Sequence, residues 1–135
     1  MTVHNNEWVA RFIVSEGWVN QGQVKGEAFR PKQNRKKSAL ETSVTKHEGR
    51  DAAEIKKRSK EFEQIPRLNP VNVLGWADVT AGAVRTVSTI PALDLEAAAT
   101  IRDSNHANIV GWHLESGQQM IQAEEIARQS KLCLL

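Results

Sequence analysis

The residues best equipped for chemistry sit late in the chain, in Asn105-His106-Ala107-Asn108. An imidazole titrates near neutral pH, so His106 can serve as an acid, a base or a hydrogen-bond donor. Asn105 and Asn108 flank it closely enough to fix its tautomer or to contact a ligand. The competing reading is structural, because Asn and His at a turn often satisfy only backbone groups. A second candidate is Ser43-Val44-Thr45-Lys46-His47. Hydroxyls that alternate along a strand and lead into Lys and His suit phosphate binding, and an ordinary polar strand face is the alternative. A nucleophilic Ser43 would need a base, His106 or His47, within hydrogen-bond reach. Arg11 is the third, interrupting the apolar run Trp8-Val9-Ala10-Arg11-Phe12-Ile13-Val14. A buried guanidinium needs a partner, since desolvating an unpaired charge is costly. Asp78 is an internal carboxylate that can supply one; an anionic ligand or simple exposure are the other outcomes.

Other signatures are missing. The chain has no Gly-rich Lys-Ser/Thr phosphate loop, no Gly-x-Ser-x-Gly elbow, no His-Glu-x-x-His and no dinucleotide fingerprint. Cys133 is the single cysteine, which excludes an intrachain disulfide and a cysteine-based zinc site. A metal site built from His106, His113 and a carboxylate has no spacing motif behind it, and no metal or cofactor is expected. Trp8, Trp18, Trp76 and Trp112, with Phe12, Phe29 and Phe62, supply aromatic surface. Stacking rings beside a basic groove are common equipment of nucleic-acid binders. Trp8, Trp76 and Trp112 lie in strand-like apolar surroundings, where core packing is the default role.

The elements that must position these groups follow from periodicity. Trp8–Val14 is a β-branched and aromatic run that reads as a strand buried on both faces, with Trp18-Val19 as an extension. Lys32–Ser38 contains no apolar residue and is expected to be a mobile, hydrated, basic loop. Leu40–Lys46 reads as a strand with Leu40, Thr42, Val44 and Lys46 on one side and Glu41, Ser43 and Thr45 on the other. Asp51 with Glu54 forms a capping-box start for a helix whose narrow apolar stripe is Ile55, Phe62 and Ile65, ended by Pro66. Val73–Val79 is a core strand, and Ala83–Val87 another or its continuation past a bulge at Gly82. Asp94–Arg102 reads as a short helix and Asn108–Trp112 as a short strand. Ser116 and Gln119 form a second capping box, opening a helix that runs to about Lys131. This order is not a regular βαβ alternation. It predicts a single α+β domain over 1–135, with a small mixed or antiparallel sheet and two main helices.

Size and charge bound the function. The 135 residues, 40% hydrophobic and 25% charged, fit one globular domain. No run of roughly 18 apolar residues is present to span a bilayer. The opening residues lack a secretory pattern, and a reducing cytoplasm without membrane contact is expected. The net charge of +2 hides an asymmetry: Lys25–Arg67 carries 13 Lys/Arg against 7 Asp/Glu, and the rest carries 5 against 9. Such a basic middle can guide an anionic partner to one face, or can be a solvated loop and helix.

Taken together, Trp8-Val-Ala-Arg-Phe-Ile-Val14, Ala28-Phe-Arg-Pro31, Glu41-Thr-Ser-Val-Thr-Lys-His47, Gly75-Trp-Ala-Asp78 and Asn105-His-Ala-Asn-Ile-Val-Gly-Trp112 form a pattern. It resembles a family of small uncharacterised bacterial proteins marked by a Phe-x-Pro turn, a Leu-Ser-Val-Thr-Arg-type strand and a late Asn-His-Ala-Asn-Ile segment. Lys46 and Trp76 stand where that pattern favours Arg, and Asp94–Ser104 is longer than usual. The resemblance implies a bacterial source and a cytoplasmic setting but no mechanism, and it points to Arg11, Phe29, Pro31, Ser43, His106 and Asn108.

Three functions compete. The leading one is an accessory or binding module for an anionic partner, nucleic acid or nucleotide. It would use Arg30, Lys32, Arg35, Lys36 and Lys37 together with Lys56, Lys57, Arg58 and Lys60. The second is a small enzyme acting on a nucleotide or phosphodiester, with His106 as acid or base, Arg11 as anion clamp and Ser43 or Asn108 as positioning group. Phe29 and Asn105 join Arg11 and Asn108 as expected ligand contacts. The third is a protein-binding subunit of a toxin–antitoxin, defence or mobile-element complex. The oligomeric state is left open. The site requires Arg11, Ser43 and His106 to share one cleft.

Overall fold

The computed structural model describes residues 3–34, 39–47, 52–89, 91–101 and 103–135. In chain order the strands and helices are β1 (Trp8–Ile13), β2 (Val19–Asn20), β3 (Gln23–Val24), β4 (Lys32–Asn34), β5 (Ala39–His47), α1 (Ala52–Glu63), β6 (Gly75–Thr80), α2 (Ala81–Arg85), β7 (Asp94–Ala97), β8 (His106–Val110), α3 (Ser116–Gln129) and β9 (Lys131–Leu134). A 3-10 turn at Glu16–Trp18 precedes β2, and another at Gly26–Phe29 precedes β4. The main sheet runs β7-β8-β5-β1-β6-β9, with β4 paired to β5, and every pairing is antiparallel. The protein is α+β. No helix among the described residues is long and apolar enough to cross a membrane.

Alternation along the strands divides the sheet into two unequal faces. One carries Val9, Ile13, Val44, Ala77, Val79, Leu95, Ala107 and Ile109, packed with Phe29 and with Ala123, Ile126 and Ala127 of α3 into the main core. The other carries Ala10 and Trp76, which pack with Ile55 of α1, beside Phe12 and Cys133. The helix α1 therefore docks through a single fully buried apolar side chain, Ile55. Burial of one such side chain contributes only about 1.5–3 kcal/mol. Polar ties do the rest: Arg58 donates to Thr45 Oγ1 at 3.1 Å and to the Lys46 carbonyl. Farther along, Phe62 meets Phe12 at 5.0 Å between ring centres. Arg67 lies over Phe62 and donates to the Phe62 and Ile65 carbonyls at and just past the helix end, the first of which also accepts from the Ile65 amide. So narrow a stripe holds α1 against β1 and β6 but leaves its last turns standing clear of β5 and β8.

Several local expectations change. Ala81–Arg85 is a short helix rather than a strand, because Thr80 Oγ1 accepts from the Ala83 amide and caps it. Asp94–Ala97 is an edge strand rather than a helix, its alternating Asp94, Leu95 and Glu96 burying Leu95 alone of the three. The first residues of the expected basic loop, Lys32–Asn34, form β4 against Ala39–Glu41. Trp18-Val19 does not prolong β1 but enters the β2–β3 hairpin. Ser116 does not cap α3: Glu115 stands at that position without a side-chain bond, and Gln119 donates instead to the His113 carbonyl. The proposed cap Asp51 lies outside the described residues. β9 comes as an addition. It can approach β6 only because residue 75 is glycine, where a Cβ would stand 2.2 Å from the Cys133 carbonyl oxygen.

Candidate functional site

The gap beneath the last turns of α1 is a cleft of about 770 Å³. Its apolar walls are Phe12 on β1 and Phe62, Ile65 and Pro66 at the end of α1. Its floor is the open half of the sheet, with Ser43 and Thr45 on β5 and His106 on β8. The loop before β8 closes one side with Thr100, Ile101 and Asp103. Ile101 is fully exposed there, an apolar side chain standing at the rim.

Ser43, Arg11 and His106 all line this cleft, which brings three segments distant in sequence to one locus. Their side chains do not serve it equally. Arg11 shares a strand face with Val9 and Ile13, both fully buried in the main core, so it turns toward α3 and presents its main chain to the cleft. Its Nε donates to the Ala28 carbonyl at 2.8 Å and Nη1 to the Ser43 carbonyl at 3.0 Å, with Trp18 stacked 5.4 Å away. Burial pushes this guanidinium down to about 10, and it remains charged at neutral pH. No carboxylate among the described residues forms an ion pair with it. The expected Arg11–Asp78 pair is replaced: Asp78 Oδ1 lies 2.8 Å from His47 Nε2, whose side chain is fully buried. Arg11 is a tether between sheet and 3-10 turn.

His106 keeps its place at the cleft floor. It pairs across the strands with Thr45, as Asn108 pairs with Ser43. His106 Nε2 lies 3.1 Å from Asn108 Oδ1. A carbonyl oxygen only accepts, so Nε2 carries the proton and Nδ1 of the neutral ring offers a lone pair. Nδ1 has no partner among the described residues, and no buried side-chain nitrogen or oxygen there lacks one, so solvent reaches it. The Ser43 hydroxyl is exposed and likewise makes no hydrogen bond among the described residues. Ser43 stands diagonal to His106 on the ladder, their backbones roughly 7–8 Å apart by strand geometry, and no hydrogen bond joins the two side chains, so the pair is not a hydrogen-bonded nucleophile and base.

The other expected contacts disperse. Phe29 is fully buried in the main core, where Thr42 Oγ1 donates to its carbonyl at 2.8 Å, and it cannot touch a ligand. Asn108 is buried as the partner of His106. Asn105 lies in the turn before β8 and faces a separate depression of about 530 Å³ that it shares with Glu7 and Lys46. Arg30 follows the 3-10 turn on the α3 side, 3.5 Å from Ser116 Oγ, and Lys32 is exposed on β4. Lys56, Lys57 and Lys60 are exposed on α1, across the sheet from α3. Arg58 turns inward and pairs with Glu54. Arg35, Lys36 and Lys37 lie outside the described residues. The Arg30 and α1 groups thus belong to opposite faces.

Among the described residues, charge within the cleft leans acidic. Arg58 is already paired, and Glu61 and Asp103 both line the walls. Among the described residues no group of three or more His, Cys, Asp or Glu side chains is placed to hold a metal ion. Cys133 is 3.8 Å from Asp78 Oδ2; burial and then the nearby Asp78 charge push its thiol up, which keeps it protonated at neutral pH. The residues that sequence patterning under-weighted are Phe12 and Phe62, which alternation and helical spacing put opposite one another. No family model, curated protein or solved structure matches the chain, so the reading of the site rests on its geometry.

Proposed function

We propose that this protein is a binding module for a small organic ligand with a flat apolar body and a polar edge. The observation that carries this reading is the cleft itself, with Phe12 and Phe62 walling one side and the open Ser43 hydroxyl and His106 Nδ1 on its floor. Its volume of about 770 Å³ falls in the range that encloses most of a drug-sized molecule. A neutral ligand fits better than a phosphate, because Glu61 and Asp103 would repel an anion while Arg58 is held by Glu54. Binding of a nucleic-acid polymer has less support, since the basic groups around Arg30 and along α1 do not share a surface. Catalysis through Ser43 lacks an activating base.

Titration calorimetry with indole, adenosine and uridine, beside a single-stranded oligonucleotide at low salt, tests the reading. The expected result is saturable binding of at least one small aromatic, abolished by Phe62→Ala and kept in a variant with Lys56, Lys57 and Lys60 all changed to Gln. Binding of the oligonucleotide alone, with steep salt dependence and loss in the lysine variant, would overturn it in favour of a polymer.

A further inference from the structure

The donor and acceptor pattern on the cleft floor narrows the ligand, on the premise that the cleft binds one. Three polar groups reach this floor from two neighbouring strands. Thr45 is buried and its oxygen already accepts from Arg58 at 3.1 Å. It is a fixed part of the wall. Ser43 is exposed, and its hydroxyl can rotate to donate. His106 is held by Asn108 in the tautomer that leaves Nδ1 as an acceptor without any hydrogen. The floor therefore asks for a ligand edge with one acceptor and one obligatory donor side by side.

The geometry points to a heteroaromatic ring bearing a lactam edge, a ring carbonyl next to a ring N–H, as the ligand class of this cleft. The ring N–H donates to His106 Nδ1, the carbonyl accepts from the Ser43 hydroxyl, and the ring body packs against Phe12 and Phe62. Uracil-type, guanine-type and pterin-type rings carry this edge. Indole does not, having the N–H without the carbonyl. Adenine carries an amidine edge instead, an exocyclic N–H beside a bare ring nitrogen, and is the donor–acceptor competitor against which the lactam class is measured. A site built around a fixed polar partner rejects an analogue that leaves the partner unpaired more strongly than an apolar wall rejects a change of size.

Methylation of the ring N–H provides the test. Uridine is compared with 3-methyluridine, and guanosine with 1-methylguanosine, by calorimetry on the wild-type chain, with adenosine and indole as aromatic controls. The expected result is at least a tenfold loss of affinity on methylation for whichever lactam binds. The same comparison on His106→Ala is expected to show no methylation penalty. Long-range nitrogen–proton NMR of the free wild-type protein should find the His106 proton on Nε2; a proton on Nδ1 overturns the assignment even if the alanine variant fails to fold. Equal affinity for methylated and unmethylated rings, or a preference for adenosine or indole, overturns the lactam class while leaving a functioning aromatic cleft. Absence of binding by every ring defeats the cleft reading as well.

Discussion

Replacing Arg11 by Met asks which side of the sheet its guanidinium serves. The side chain makes two donations, to the Ala28 carbonyl at 2.8 Å and the Ser43 carbonyl at 3.0 Å. Each is a hydrogen bond from a charged donor, of the kind that contributes about 1.5–3 kcal/mol. Against them stands burial of the charge, which lowers the guanidinium from its ordinary value to about 10. At about 1.4 kcal/mol for each tenfold change in proton affinity, that burial costs roughly 3 kcal/mol. Met retains most of the apolar stem and removes both effects, so the net loss of stability falls between about zero and 3 kcal/mol. Urea unfolding of the two proteins measures it. The pH sign is fixed by the direction of the shift: the cost of the buried charge is fully present below pH 10 and is relieved as pH rises from there toward the ordinary guanidinium value. Wild type should therefore gain on Arg11→Met across that interval. Ligand affinity should not change, because the guanidinium lies across the sheet from the cleft. Unchanged stability together with lost ligand binding would refute this assignment of faces and return Arg11 to the role of anion clamp.

Thr42→Val removes the 2.8 Å donation to the Phe29 carbonyl at nearly constant volume and should cost about 1 kcal/mol in the same unfolding assay. Asp78→Val strips the buried His47 of its 2.8 Å carboxylate hydrogen bond and should cost about 1.5–3 kcal/mol, read as a fall in the urea midpoint at unchanged slope. Asp94 is held below the usual carboxylate range, first by the Arg85 side-chain hydrogen bond and then by the Leu95 amide. Its contribution is present above its ordinary 3.8 and is lost as pH falls through the depressed folded value, so Asp94→Asn should flatten the acid limb of stability against pH. The effect is small, because the carboxylate is mostly exposed and screened.

Much of the fold was legible because strong hydrophobic patterns specify it locally. Trp8–Val14, Leu40–Lys46 and Val73–Val79 each announce a strand, and β1, β5 and β6 occupy those stretches. The failures sit where a tertiary partner decides. Asp94–Ala97 contains helix-favouring Glu and Ala but is drawn into pairing with β8. Lys32–Asn34 has no apolar residue, yet β5 offers it an open edge. The cleft was half legible. His106 and Ser43 lie on strands whose alternation could be read, so their shared face followed once β5 and β8 paired. Arg11 looked like their companion only by residue type; strand parity puts it with Val9 and Ile13, a constraint that composition alone conceals. The His47–Asp78 pair depends on β5 and β6 flanking the same strand β1, which no spacing in the chain reveals.

The most direct measurement is an amide chemical-shift map of the nitrogen-15-labelled protein titrated with uridine. Perturbations should gather at Ser43, Thr45, Phe62, Ile101 and His106, with Gly26–Phe29 and the outer lysines of α1 unmoved. A map that instead follows Lys56, Lys57 and Lys60, or that clusters around Arg30 and Lys32, would contradict a ligand seated between α1 and the open half of the sheet.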